Sequence, residues 1–302
     1  MGDFISGLYS NGAERGGNAS LDWLMCIVCS YETVKYLNTR GSVKRLALCW
    51  VAALYMAAMA EIKLFFLQTV IIAVLAVAIC KKSLKIVVFA VAAGIALYFG
   101  IQVMYAMFPG FADFFTLENI LAYVTRKGGY SSRGHLSGVD RLTAIPYVYK
   151  NFLKETTDKI FGIGLGNGDF SSFKFFTSAF YRHYGWSGYS FFSSSFILLE
   201  LGTAGLLGYL LYYGNYLRQA VRVKTKATNE KSIQYTVMIL SMMTFLMFFS
   251  NQTMRLEASA YMVTAVLVFP FILRKFSNHD VTDTLIKHKH IKIKLRCQNH
   301  GT

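Results

Sequence analysis

Between Lys159 and Phe173 the chain reads KIFGIGLGNGDFSSF, with glycine at 162, 164, 166 and 168 and then Asp169. Glycine lacks a Cβ, so such a run lets backbone N–H groups approach an anion, most commonly phosphate. The spacing is not the dinucleotide fingerprint, and the Gly-Lys-Ser/Thr ending of a P-loop is missing. Cations flank the run: Arg126, Lys127, Arg133 and Arg141 before it, Lys174, Arg182 and His183 after it. A guanidinium binds phosphate through two parallel hydrogen bonds. The stretch FYRHYGWSGYSFFSSS, residues 180–195, adds aromatic faces that suit the C–H surface of sugars. Cations beside aromatic rings fit a ligand that is part phosphate and part sugar. No HxxxH and no cluster of Asp and Glu occurs in this segment, so Arg and Lys are expected to meet the ligand's charge, with no metal and no cofactor.

The elements that must position these residues are apolar. The chain has 302 residues, 54% hydrophobic and 16% charged, and soluble domains carry about 25% charged residues. Seven stretches are read as membrane helices: 19–37, 46–60, 62–80, 84–107, 192–217, 233–250 and 256–274. The second is short, and the tight joint AEIK at 60–63 makes it half of a hairpin. The net charge of +15 does not indicate nucleic acid, because the cations are parcelled between apolar runs. Lys and Arg concentrate in the connections after the first, third and fifth stretches and in the tail. The positive-inside rule then puts the tail in the cytoplasm and both the amino terminus and the long 108–191 segment outside.

The expected fold is all-α: a polytopic bundle of about seven spans with one large, mostly helical extracytoplasmic loop. Residues 1–107 form an outer amino-terminal segment and four spans, 108–191 the loop, 192–274 three spans, and 275–302 a basic cytoplasmic tail lying on anionic lipid. A loop this long should fold. Helical spacing appears at 113–125 and at 137–155, with Pro146 a kink or break in the second. Cys26 and Cys29, although spaced CxxC, lie in an apolar stretch and read as two small buried residues. The head MGDFISGLYSNGAERGG has no apolar signal core, which fits either a translocated head or the carboxy-terminal portion of a longer protein. ATP and NAD are not available outside the cell, so the phosphate is expected to be carried in the membrane, as a lipid-linked diphosphate.

The order of motifs resembles the O-antigen polymerase and ligase superfamily of bacterial polysaccharide assembly. The residues that carry the likeness are Gly138 with Arg141, the run Gly162-Ile163-Gly164-Leu165-Gly166, and Glu200-Leu201-Gly202 with Gly205. Upstream, AEIKLFFLQTVIIAVL (60–75) resembles an outward-facing helix start of that family, with Lys63 as its cation. The head and following helix, DFISGLYSNGAERGGNASLDWLMCIV, are similar to a mid-protein segment of longer members. The likeness covers most of the chain. Ligases of the family place His-Asn where this chain has Ser193-Ser194-Ser195, which favours a polymerase.

The resemblance implies glycosyl transfer in the bacterial inner membrane, from an undecaprenyl-diphosphate-linked oligosaccharide to a second lipid-linked unit. Membrane lipid, a chain-length regulator and a flippase are the implied partners. The catalytic residues expected are Arg141 and Lys63 for the leaving diphosphate, and Asp169 or His183 to receive the acceptor proton. Arg133, Gly162, Gly164, Gly166, Arg255 and Glu200 are expected to bind substrate. A ligase using another acceptor, a lipid-linked-sugar transporter and an inactive fragment are the alternatives.

Overall fold

The computed structural model describes residues 17–39, 41–60, 62–80, 139–223, 225 and 227–272, together with positions 94, 98 and 102. Among them are nine α-helices. They are α1 (Gly17–Asn38), α2 (Val43–Met59), α3 (Lys63–Cys80), α4 (Ala144–Asn151), α5 (Thr156–Phe161), α6 (Ala179–Tyr184), α7 (Ser193–Arg222), α8 (Thr228–Ser250) and α9 (Glu257–Leu267). Three short 3-10 turns, Lys174–Phe176, Gly185–Ser187 and Tyr189–Phe191, complete the described elements.

The fold is therefore all-α, as the composition implies. The count of seven spans is not reproduced. Among the described residues two helices, α7 and α8, are both long and apolar enough to cross a membrane, while Leu64–Cys80 and Ser259–Ile272 are shorter apolar helices. Helices α1 and α2 coincide with the first two stretches, but α1 carries the buried Asp22 and Glu32, and α2 is only 17 residues long. The fourth stretch, 84–107, and the expected helix at 113–125 lie outside the described residues apart from positions 94, 98 and 102, which are helical.

α1, α2, α3, α7, α8 and α9 pack around one core containing Trp23, Leu37, Phe65, Ile72, Met243 and Phe248. The joint between α2 and α3 is a true hairpin. The Ile62 N–H turns back to the Ala57 carbonyl (2.9 Å) and the Phe65 N–H to Ile62 (3.1 Å). α1 is pinned to α2 by an Arg45–Glu32 ion pair and by the Trp50 indole N–H donating to Thr33 Oγ1 (3.0 Å). Cys26 and Cys29 are free and buried.

Residues 139–192 build a second, smaller core on the first turns of α7. Val139, Ala144, Val148, Leu153 and Tyr189 meet Phe192, Phe196, Leu198 and Leu199 there. The expected helix over 137–155 is instead a turn, then α4, then α5 from Thr156. Pro146 neither kinks nor breaks it. It sits in the first turn of α4, where its missing N–H has no intrahelical partner to lose.

Candidate functional site

The glycine run meets α7 where that helix is broken. Gly202 has φ 65° and ψ −164°, far from helical values, in the middle of an otherwise regular helix. This region of backbone space belongs essentially to glycine. The break leaves the carbonyls of Leu199 and Glu200 without their usual partners four residues on. The run fills them: Ile163 N–H donates to Leu199 (2.9 Å) and Gly164 N–H to Glu200 (3.1 Å). The approach is so close that a Cβ on Gly162 would collide with the Glu200 carbonyl, and one on Gly202 with the Ile160 carbonyl. Gly162 also holds φ 76° as it ends α5. The two glycine motifs thus form one lock in which each lacks the side chain that would block the other.

The Glu200 side chain completes the lock from within. It is 6% exposed, and its Oε1 accepts the Gly168 N–H at 2.9 Å. The Gly162 N–H is already taken by the Asp158 carbonyl (2.7 Å). The N–H groups of Gly162, Gly164 and Gly168 are thus spent inside the chain. This revises the expectation that Gly162 and Gly164 offer N–H groups to a phosphate, whereas Gly166 is exposed on the run. The missing side chain of Gly162 serves packing against α7, and Glu200 satisfies the buried Gly168 donor.

Asp169 emerges next to this lock and forms an ion pair with Arg255. Asp169 is nearly half exposed, whereas Arg255 is mostly buried. Arg255 also donates to the Ser190 carbonyl (3.3 Å), and its guanidinium lies 4.1 Å from the centre of the Phe196 ring. It therefore stitches the connection after α8 to the glycine run, to the turn before α7 and to α7 itself. Below Asp169, Tyr189 donates its hydroxyl to the Gly168 carbonyl (2.8 Å). Burial pushes the Tyr189 phenol well above its ordinary value, so it remains a donor.

Arg141 reaches the same connection from the other side. Its Nε donates to the carbonyl of Ser250 (3.3 Å), the last residue of α8. Helix C-termini expose such carbonyls and favour cations. Asp140 shapes the approach by accepting the Thr143 N–H (2.7 Å) in the turn before α4. The residues just after Ser250 are a hub. The Asn251 carbonyl accepts from Ser193 N–H (2.9 Å) and Ser193 Oγ (3.0 Å). The Asn251 amide reaches Asp22 Oδ2 on α1 (3.5 Å), which also accepts from Gln68 on α3 (3.2 Å). Sequence reasoning did not single out Asn251, Gln68 or Asp22 as part of a site. An aspartate inside an apolar stretch was the available signal.

The remaining expected residues are placed as follows. His183 is exposed on α6 with its ring edge-on to Tyr184, centroids 4.5 Å apart. Among the described residues no hydrogen bond or ion pair joins it to Asp169 or Arg255. Lys63 opens α3, and its side chain lies outside the described residues, as does all of Arg133. The structure thus brings together Asp169, Arg255, Glu200 and the glycines, and ties Arg141 to the connection that carries Arg255. No protein-family profile, no curated protein and no solved structure matches the chain.

Proposed function

We propose that this protein is a membrane polysaccharide polymerase that extends a glycan carried on undecaprenyl diphosphate. In this reading the bundle crosses the bacterial inner membrane through its apolar helices, and residues 108–191 face outward. The observation that carries the proposal is the convergence on residues 250–255. Arg141 is held there through Ser250, and Arg255 pairs there with Asp169. Two guanidinium groups and one accessible carboxylate are thus fixed by a single short connection. The lock between the glycine run and Glu200-Leu201-Gly202 adds support, because it joins in space two motifs that the resemblance links only by order.

The chemistry is a displacement at the anomeric carbon. The bond from that carbon to the diphosphate oxygen breaks, and a bond to the acceptor hydroxyl oxygen forms. Negative charge accumulates on the departing diphosphate, where Arg141 stabilises it by position and charge. The hydroxyl proton passes to Asp169, whose orientation Arg255 fixes. The test is a chain-length assay on the protein in lipid, supplied with a synthetic undecaprenyl-diphosphate repeat unit. Wild type should give a ladder of longer glycans and Arg141→Ala should not. A single transfer to a different acceptor, with no ladder, would indicate a ligase instead.

A further inference from the structure

We infer that the cavity between the turn 170–177 and α6 is a glycan subsite that selects an acidic sugar. The cavity, of about 490 Å³, is lined by Phe170, Lys174, Thr177, Tyr181, Arg182, Gly185 and Trp186. That volume is in the range of small-ligand sites. Three linings are aromatic, two are cationic and none is acidic. Aromatic faces suit the C–H surface of a pyranose, and a Lys and an Arg at one mouth suit a carboxylate.

The cavity has a built wall. Arg182 donates through Nε and Nη2 to the Thr177 carbonyl (3.1 and 2.9 Å) and through Nη2 to Lys174 (3.3 Å). These bonds fix the guanidinium plane and leave Nη1 outside them. The Trp186 indole is anchored by its N–H to the His183 carbonyl (2.7 Å). Ser178 caps α6 by accepting the Tyr181 N–H (2.9 Å), and its hydroxyl donates to Asn167 (2.6 Å) in the glycine run. The cavity is therefore tied to the lock beside Asp169. Gly185 lets the Tyr181 ring lie against the backbone in the cavity wall, since a Cβ there would press on that ring at 2.9 Å.

The role of this subsite rests on the polymerase reading, where it would hold one sugar of the repeat unit. Its binding does not, so the test is direct binding to the intact protein in nanodiscs. The chain has three tryptophans, and Trp23 and Trp50 are buried in the helical bundle. Trp186 fluorescence therefore reports the cavity. The probes are a glucuronate-containing tetrasaccharide and its carboxyl-reduced neutral counterpart. The acidic probe should give a saturable change, with the neutral one at least ~10-fold weaker, the worth of one charge-assisted hydrogen bond. Lys174→Gln should narrow that preference, and Gly185→Ala should weaken both probes. Trp186→Phe should abolish the signal while the emission of Trp23 and Trp50 shows that the bundle is folded. Equal binding of the two probes, no binding of either, or an unchanged signal in Trp186→Phe would overturn the subsite. A failed chain-length assay with intact acidic-probe binding would overturn the polymerase reading alone.

Discussion

Replacing Gly202 with alanine should open the lock between α7 and the glycine run. Two costs arise at this one position. Alanine at φ 65°, ψ −164° carries backbone strain of about 1–3 kcal/mol. Its Cβ would also collide with the Ile160 carbonyl, and overpacking of that kind costs about 1–3 kcal/mol. The chain can escape both by straightening α7, which re-pairs the Leu199 and Glu200 carbonyls within the helix. The N–H groups of Ile163 and Gly164, which those carbonyls now accept, would then be released. A combined cost of roughly 3 kcal/mol corresponds to opening on the order of 100-fold more often. Hydrogen exchange of the protein in nanodiscs, read by mass spectrometry on peptides covering 160–168, measures this directly. Gly208→Ala is the control. A Cβ there meets nothing within 4 Å, and alanine in a helix is favoured over glycine by about 0.5–1 kcal/mol. Exchange at 160–168 that is the same in Gly202→Ala and wild type would refute the lock.

Further outcomes follow from the same contacts. Glu200→Ala leaves the buried Gly168 N–H unpartnered, at about 1–3 kcal/mol, whereas Glu200→Gln retains an acceptor and should lose much less, as read by thermal unfolding. Arg255→Lys keeps a charge for Asp169 but loses the guanidinium contacts to Ser190 and Phe196, so glycan product should fall while Asp169→Asn lowers it further. Asp22→Ala strands the amides of Gln68 and Asn251, and should destabilise the bundle by about 2 kcal/mol or more, with Asp22→Asn closer to wild type. Tyr189 is held protonated above its ordinary value, so its contribution to stability is complete below about pH 10 and declines as pH rises further. The stability gap between wild type and Tyr189→Phe should therefore shrink above about pH 10 in thermal unfolding.

The long helices were legible because extended apolar runs leave few alternatives, and the AEIK hairpin because so few residues separate two such runs. The lock was only half legible. Alternating glycines announced a close backbone approach, but nothing local named the partner, which lies dozens of residues on at a break in α7. A glycine inside an apolar helix reads as packing, and only the backbone angles of Gly202 identify it as a break. The pairing of Asp169 with Arg255 spans 86 positions, and no periodicity encodes such a contact. The helix at 137–155 failed for a different reason. Its apolar spacing continued across Asn151, while the chain turned there to place Leu153 in the smaller core. The hub at Asn251 escaped because short polar connections look alike until packing shows what they touch.

The most direct test of the central claim counts leaving groups against bonds made. Purified protein in lipid is given the undecaprenyl-diphosphate repeat unit, and free undecaprenyl diphosphate and glycan length are followed together. One diphosphate should be released for each unit added to a growing ladder, with both lost in Arg141→Ala and neither lost in Gly208→Ala. Elongation that continues in Arg141→Ala, or a folded wild-type protein that releases no diphosphate, would contradict that claim.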